Sequence, residues 1–157
     1  MIRPLDEPDV ASVAGWLADL PLLQRYRRTA ADLARDLRAA QTRGDQLLVN
    51  DPGDGGPGRA DALVWFMPAG TLAMGGYLRL LAVSPGADGR GLGSSLLAEF
   101  ERAVAERSRH AFLLVSDFND RAQRFYARHG YTQVGRLPAL VVPDVDELLY
   151  WRRLAGR

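Results

Sequence analysis

The chain has no cysteine and only two histidines in a sequence of 157 residues. The lack of cysteine excludes disulfide bonds, a thiolate nucleophile and cysteine-based metal sites. The two histidines, His110 and His129, have no ligand partners at the spacing that a metal site requires. We therefore predict that the protein holds no metal ion.

A strong charge of one sign and a long apolar run are also missing. Twenty basic and nineteen acidic residues leave a formal net charge of +1, which gives no electrostatic case for nucleic acid or a membrane surface as a partner. No apolar stretch approaches the roughly 20 residues of a membrane span. The first residues, Met1–Val10, carry acids and prolines where a signal peptide needs a basic and then an apolar run. We expect a cytoplasmic protein, and the Arg/Ala-rich composition favours a bacterial one.

Hydrophobic periodicity predicts a single α/β (α+β) domain over residues 1–157. The predicted helices are Asp9–Leu20, Thr29–Arg43, Gly91–Arg107 and Asn119–His129. One strand is expected before the first helix, and the other predicted strands are Gln46–Asn50, Ala62–Met67, Gly76–Val83, Ala111–Val115, Tyr131–Val142 (interrupted by Pro138) and Glu147–Leu154. The glycine- and proline-rich segment Asn50–Arg59 is predicted to be a flexible loop within a hairpin. This order favours a mixed sheet with helices on both faces and a central parallel strand–helix–strand crossover.

The most informative segment is Leu78–Ser95, in which an apolar strand ends at Val83 and the sequence GRGLGSS opens a helix. Glycine lets an anion approach the backbone, and the N-terminal N–H groups and dipole of the helix favour negative charge. The segment therefore predicts a phosphate-binding turn, although an ordinary turn remains an alternative. A P-loop is excluded because Gly93 is followed by Ser94 rather than lysine. A Rossmann turn is disfavoured because the third glycine is missing and the turn lies far from the N-terminus.

A second motif lies in Val115–Tyr131, which reads VSDFNDRAQRFYARHGY. Together with the glycine turn, it resembles the GNAT superfamily of acyl-CoA-dependent N-acyltransferases. The family's pattern Asn-x-x-Ala-x-x-Phe-Tyr-x-x-x-Gly-Phe/Tyr is matched without a gap by Asn119, Ala122, Phe125, Tyr126, Gly130 and Tyr131. Its turn pattern Gln/Arg-x-x-Gly-x-Gly/Ala is matched by Gly91 and Gly93. The stretch Leu81-Ala82-Val83 stands where the family has the Leu-x-Val end of a strand.

The resemblance implies a mostly antiparallel mixed sheet of about six to seven strands. It also implies acetyl-CoA as the cofactor and transfer of its acetyl group to an amine. The residues expected to bind acetyl-CoA are Leu81, Ala82, Val83, Gly89, Arg90, Gly91, Leu92, Gly93, Ser94 and Asn119. For Asn119 the role of a helix N-cap is an equal alternative.

One position departs from the family pattern. The slot for Gln or Arg falls on Asp88, an acid that would repel a pyrophosphate, and Arg90 is the nearest positive charge. The anion is therefore expected to be bound mainly by backbone N–H groups between Gly89 and Ser94, because hydrogen bonds from the backbone do not depend on residue identity.

The resemblance assigns two catalytic groups. The Val83 N–H would polarise the thioester carbonyl, and the Tyr126 hydroxyl would protonate the departing CoA thiolate. Core packing is the alternative role for Tyr126, because it shares one side of its helix with other large residues.

The general base is not evident from the sequence. No acid lies between Ala62 and Ala87, and Tyr77 and Arg79 take alternate positions of that strand. We expect deprotonation of the amine through water near Tyr77, with Glu147 as a more distant candidate. Tyr77 and Tyr26, the latter in the basic run Arg25–Arg28, are the candidate acceptor-binding residues.

We therefore expect an acetyl-CoA-dependent N-acetyltransferase that acts as a monomer or homodimer on a small-molecule or peptide amine. A noncatalytic module that binds or senses acyl-CoA is the alternative. A nucleotide-binding oxidoreductase is disfavoured by the missing dinucleotide fingerprint.

Overall fold

A computed structural model describes residues 1–50, 52–53 and 58–155, and these contain seven strands and five helices. The strands are β1 (Ile2–Pro4), β2 (Gln46–Asn50), β3 (Ala62–Thr71), β4 (Gly75–Val83), β5 (His110–Ser116), β6 (Thr132–Val142) and β7 (Val145–Arg153). The helices are α1 (Glu7–Ala18), α2 (Pro21–Arg25), α3 (Ala30–Arg43), α4 (Leu92–Ala105) and α5 (Asp120–Arg128).

The strands follow the order β1-β2-β3-β4-β5-β7-β6 in one seven-stranded sheet. The pairs β1–β2, β2–β3, β5–β7 and β6–β7 are antiparallel, whereas β4 and β5 are parallel. Since α4 lies between β4 and β5 in the chain, these two strands and the helix form the predicted crossover. The predicted mixed α/β fold is confirmed.

One detail differs from the sequence prediction. Pro21 was expected only to end the first helix, but it begins the five-residue helix α2. Proline suits the first position of a helix because the N–H that it lacks has no partner there. The strand over Tyr131–Val142 was expected to be interrupted at Pro138, and the pairing of β6 (Thr132–Val142) with β7 is indeed irregular between Leu137 and Val142. The predicted loop Asn50–Arg59 falls partly on residues 51 and 54–57, which lie outside the described residues.

The chain divides into two compact units, and the first comprises Met1–Met67 and Leu80–Phe100. Thr29 caps α3 by accepting a hydrogen bond from the Asp32 N–H, and Gly44 ends that helix in the left-handed conformation, as predicted from their positions. Helix α3 packs against α1. The core that results is apolar, and its fully buried members include Val10, Val13, Leu17, Leu37 and Val49.

The first unit also contains a buried carboxylate. Asp9 is fully buried and accepts hydrogen bonds from Arg3 at 2.6 and 3.0 Å, from the Gly58 N–H at 2.8 Å and from the Asp6 N–H at 3.1 Å. The Arg3 hydrogen bonds outweigh the cost of burial and lower the pKa of Asp9 to about 2. Asp9 therefore joins α1, the N-terminal strand and the segment before β3.

The second unit comprises Pro68–Arg79 and Glu101–Arg157. In this unit β5 pairs with β7 along its whole length, from His110 opposite Arg153 to Ser116 opposite Glu147. Strand β4 pairs with β5 over the three residues Gly76–Leu78. The two glycines that open β4 are required by space. A Cβ on Gly75 would lie 2.3 Å from the His110 carbonyl oxygen, and one on Gly76 would lie 2.2 Å from Val104 Cγ2.

No helix among the described residues is long and apolar enough to cross a membrane. The organisation of residues 1–157 as one domain stays a prediction.

Candidate functional site

The end of β4 directs backbone groups away from its neighbour β3. The Ser84 N–H donates to the Asp61 carbonyl oxygen at 2.7 Å. Successive residues of a strand turn their N–H and C=O groups to opposite edges. The backbone groups of Leu81 and Val83 therefore face the other edge, where an extended ligand could pair with them.

The glycine turn between β4 and α4 has the conformation that the sequence pattern requires. Gly89 and Gly91 adopt the left-handed region, with φ of 77° and 74°. A Cβ built on either glycine would have no heavy atom within 4 Å, so the backbone faces open space there. Gly93, in contrast, lies in the first turn of α4. An anion could approach the turn closely at Gly89 and Gly91.

Helix α4 begins directly after this turn. The Ser95 N–H donates to the Gly91 carbonyl at 3.1 Å, which makes Gly91 the residue before the first helical position. Because the first N–H groups of a helix have no acceptor within it, the turn over Leu92, Gly93 and Ser94 suits a phosphate. The helix dipole adds to this preference.

The charged side chains around the turn are expected to attract an anion less than the backbone N–H groups of the turn do. Arg90 forms an exposed ion pair with Asp61 at 3.2 Å, so its charge is shared with a neighbouring acid. Asp88 is exposed in the turn. The sequence analysis missed Asp61, which both accepts from the Ser84 N–H and pairs with Arg90; only its position directly before β3 hinted at it.

In the second unit, Asn119 begins α5. Its Oδ1 accepts a hydrogen bond from the Ala122 N–H at 3.1 Å, which is the N-cap role that the sequence left open. The same side chain has an amide NH₂ group that can donate to a ligand. The two roles use different atoms and are compatible.

Tyr126 lies on the buried side of α5. It is 6% exposed, and its ring packs edge-on against Phe125 and Tyr131, with centroids 5.2 and 5.7 Å away. Burial, with a smaller effect of Tyr77, raises the pKa of the Tyr126 phenol well above its ordinary value. The hydroxyl is therefore protonated at neutral pH and can act as a hydrogen-bond donor.

Tyr77 and Arg79 lie two residues apart in β4 and thus share a face of the sheet. Burial raises the pKa of the Tyr77 phenol above its ordinary value. The positive charge of Arg79 and its hydrogen bond to the phenol oxygen lower this pKa, whereas the negative charge of Glu147 raises it. Arg79, Glu147 and Tyr126 are thus electrostatic neighbours of the Tyr77 hydroxyl.

Glu147, which the sequence analysis gives as the more distant candidate for the general base, lies at a buried position of β7. It is 5% exposed, and its Oε1 accepts a hydrogen bond from Ser116 Oγ at 3.4 Å. The signal in the sequence was an acid at an inward position of an apolar strand, beside Val145 and Leu148.

The other acceptor-binding candidate, Tyr26, lies in the first unit. It is half-buried and forms the C-cap of α2, where its N–H donates to the Leu22 carbonyl at 3.3 Å. In the same basic run, Arg28 forms an ion pair with Asp36 of α3. The region is therefore tied to the helices on either side of it.

Among the described residues, no group of three or more His, Cys, Asp or Glu side chains could hold a metal ion. His110 Nδ1 accepts from Trp151 Nε1 at 3.1 Å, and His129 Nδ1 lies 2.8 Å from the Phe125 carbonyl oxygen.

A family model described as FR47-like protein matches residues 67–137, which include both sequence motifs. The fold matches a GNAT-family acetyltransferase from Bacillus cereus with a TM-score of 0.75 at 14% identity, covering 99% of this chain and 97% of that one. The TM-score with an aminoglycoside 6'-N-acetyltransferase complexed with coenzyme A is 0.77 at 17% identity, and the match covers 100% of this chain and 98% of that one. The TM-score with Ard1 from Thermoplasma volcanium is 0.74 at 22% identity, and the match covers 99% of this chain and 98% of that one. The match to the family model and the shared fold agree with the resemblance found in the sequence.

Proposed function

We propose that this chain is a member of the GNAT superfamily of acyl-CoA-dependent N-acyltransferases and transfers an acetyl group from acetyl-CoA directly to an amine. The observation that carries the proposal is the single backbone segment from Leu81 to Ser94. It combines strand N–H groups directed away from β3, two left-handed glycines facing open space and the start of α4.

Within that segment, each part suits a different portion of acetyl-CoA. The backbone of Leu81 and Val83 would pair with the amide-bearing arm as an added strand does. The turn from Gly89 to Ser94 would hold the pyrophosphate through backbone N–H groups. The open space at Gly89 and Gly91 supports this fit, because a side chain there would fill the cradle.

Two groups of the chain are assigned to the chemistry. The Val83 N–H would donate to the thioester oxygen as negative charge develops on it. Tyr126 would donate its proton to the leaving sulfur. Since burial makes Tyr126 a weaker acid than a free phenol, this donation depends on proximity to the sulfur rather than on acid strength.

Acetyl-CoA supplies an activated acyl group, and the chain supplies positioning and proton transfer. The chain has no cysteine, and its sequence reveals no Ser–His pair, which favours direct transfer without an acyl-enzyme. The acceptor is proposed to be a small molecule or peptide with a primary amine. We further propose that the protein is cytoplasmic and bacterial, and that it acts as a monomer or homodimer.

Release of free thiol from acetyl-CoA tests the proposal. The purified chain would be incubated with acetyl-CoA and one amine at a time: an aminoglycoside, spermidine, single amino acids and short peptides. We expect thiol release that depends on at least one amine, with the acetylated amine found by mass spectrometry.

The alternative function is a noncatalytic module that binds acyl-CoA, and Asp88 is the observation in its favour. This alternative is favoured if the acid at position 88 weakens turnover and no amine serves as acceptor. Binding of acetyl-CoA by calorimetry without thiol release across the amine panel would support this alternative.

A further inference from the structure

The place of Tyr126 in the second unit depends on how helix α5 ends. The helix has nine residues, and a helix this short is marginal in water without support at its ends. Asn119 caps its start through the hydrogen bond from the Ala122 N–H. Tyr126 lies in the last turn, three residues before the C-cap residue His129. The C-terminal end of α5 therefore acts directly on the Tyr126 side chain.

That end forms a Schellman motif. Gly130 follows the C-cap residue in the left-handed conformation, with a φ of 81°. The Gly130 N–H donates to the Ala127 carbonyl at 3.1 Å, and the Tyr131 N–H donates to the Tyr126 carbonyl at 3.0 Å. An apolar contact between the two residues joined by the longer of these hydrogen-bonded loops commonly accompanies the motif. In α5 those two residues are Tyr126 and Tyr131.

The rings of Tyr126 and Tyr131 make that contact. Their centroids are 5.7 Å apart and their planes meet at 70°, which is the edge-to-face arrangement that aromatic rings favour. Both side chains are buried, at 6% and 3% exposure. The hydrogen bond that ends the helix and the ring contact therefore join the same two residues, one through the backbone and the other through the side chains.

Tyr131 is supported in turn by Arg152 of β7. The guanidinium carbon of Arg152 lies 5.9 Å from the centroid of the Tyr131 ring, a distance at which a cation is attracted to the ring face. Arg152 Nη1 donates to Glu101 Oε1 at 2.7 Å, and Glu101 belongs to the same unit. A Cβ on Gly130 would lie 3.4 Å from Arg152 Nε, so the guanidinium also lies against the turn.

The Tyr131 hydroxyl contributes less to this arrangement than the ring does. Among the described residues it has no partner in hydrogen-bond geometry, although the Glu101 carboxylate is close enough to act on it. Burial and, to a smaller extent, the charge of Glu101 raise the pKa of the Tyr131 phenol well above its ordinary value. The hydroxyl therefore stays protonated, and the ring is the part of Tyr131 with defined contacts.

We propose that the Schellman motif of α5 positions the proton donor of the reaction, with the Tyr131 ring holding the Tyr126 ring so that its hydroxyl meets the leaving sulfur. This inference rests on the proposed function, in which Tyr126 protonates that sulfur. Tyr131 is a positioning residue, because it acts through Tyr126. Since burial raises the pKa of Tyr126, proton donation depends on closeness to the sulfur. A misplacement of about 1 Å costs a rate about 100-fold.

The proton balance of this step needs no further reactant. The amine lone pair forms the C–N bond as the C–S bond breaks, and the electrons of the C–S bond stay on sulfur. Tyr126 gives its proton to the sulfur, and its phenolate regains one from the solvent. The solvent receives in exchange the proton that the nitrogen loses.

The test is a double-mutant cycle between positions 126 and 131, using the amine that gives the fastest thiol release. Tyr131→Leu removes the ring but keeps an apolar side chain. In the wild-type chain we expect it to lower kcat by about 10- to 100-fold, with an unchanged Kd for acetyl-CoA by calorimetry. In the Tyr126→Phe chain, which has no hydroxyl left to position, the same change should not lower kcat further. A general defect of the fold would lower kcat in both backgrounds.

Tyr131→Phe is the conservative variant. It keeps the ring with its contacts to Tyr126 and Arg152, so it should restore most of the kcat that Tyr131→Leu loses. A loss as large as that of Tyr131→Leu would assign the effect to the hydroxyl and overturn the positioning role of the ring.

Gly130→Ala disturbs the same motif without changing either ring, and it decides the question if Tyr131→Leu does not fold. Alanine is strained at a φ of 81°. We expect kcat to fall by about threefold or more at an unchanged Kd for acetyl-CoA. Gly44→Ala is the matched control, because it places alanine at a φ of 84° at the end of α3 and should keep the wild-type kcat. Equal kcat values in the two variants would overturn the proposal.

The outcomes separate this inference from the proposed function. If the wild-type chain is active and Tyr131→Leu leaves kcat unchanged, or lowers it equally in both backgrounds, only the positioning role is overturned. If the wild-type chain is active and Tyr126→Phe keeps its kcat, the inference is wrong while acetyl transfer stands. A wild-type chain that binds acetyl-CoA but acetylates none of the amines would overturn the proposed function, and this inference with it.

Discussion

The two units carry different kinds of candidate functional group. The first unit offers backbone: strand N–H groups at Leu81 and Val83, and a glycine turn before α4. The second unit offers side chains: Tyr126, Tyr77, Arg79 and Glu147. A site made of backbone tolerates change in most side chains, whereas one made of side chains is sensitive to the loss of single atoms. Binding of acetyl-CoA and turnover should therefore respond to different substitutions.

Tyr126→Phe should have the largest effect. The substitution removes the hydroxyl but keeps the ring that packs on Phe125 and Tyr131, so the fold should survive. We expect kcat to fall roughly 100- to 10,000-fold, with little change in the Kd for acetyl-CoA. Steady-state kinetics and calorimetry measure the two quantities. A wild-type kcat would make Tyr126 a core residue only, and water would then protonate the thiolate.

Asp9→Asn should affect stability and leave kcat at 25 °C unchanged. Asp9 has a pKa of about 2 in the folded protein against 3.8 as its ordinary value. Its contribution of about 2 kcal/mol is therefore present above pH 4 and lost as the pH falls from about 4 to about 2. Urea unfolding at pH 7 and at pH 3 should show that the gap between wild type and variant narrows in acid. A gap independent of pH would contradict the assigned role.

Gly91→Val should weaken binding rather than turnover. Valine is strained at a φ of 74°, and its side chain would enter the open space at the turn. We expect the Kd for acetyl-CoA to rise by about tenfold or more. Gly44→Val is the matched control, since Gly44 has a φ of 84° and equally open surroundings at the end of α3. Equal affinities of the two variants would remove the turn from the binding site.

Asp88→Gln should have the smallest effect, in the favourable direction. Removal of an exposed acid from the turn is expected to tighten acetyl-CoA binding by about 1 kcal/mol at low ionic strength, and by less in high salt. Calorimetry at two salt concentrations measures it. Weaker binding by the variant would show that Asp88 supports the turn itself.

The elements with strong local signals could be predicted from the sequence. Helix α3 has a capping threonine and a terminal glycine, and β2 is a short apolar run between polar residues, so their bounds were predicted closely. Helix α2 could not be predicted in this way, because a proline after a helix indicates an end more often than a new start. Its five residues also give too little periodicity to recognise.

The candidate site follows the same pattern. Residues within a continuous motif, such as Asn119 and Tyr126, could be proposed as site residues because neighbouring positions of the motif support each other. Glu147 belongs to no motif, and its relation to Tyr77 depends on strand pairing between segments about seventy positions apart in sequence. Sequence periodicity does not contain that register.

The two glycines that open β4 constrain how this sequence can diverge. A Cβ at Gly76 would lie 2.2 Å from Val104 Cγ2, a contact that a smaller residue at position 104 would remove, and 3.2 Å from the Pro68 carbonyl oxygen, a contact that a shift of a few tenths of an ångström would relieve. A side chain at Gly75 would collide with the backbone oxygen of His110, which no substitution can shorten. Positions 76 and 104 are therefore expected to covary among descendants of this sequence, whereas position 75 should stay invariant.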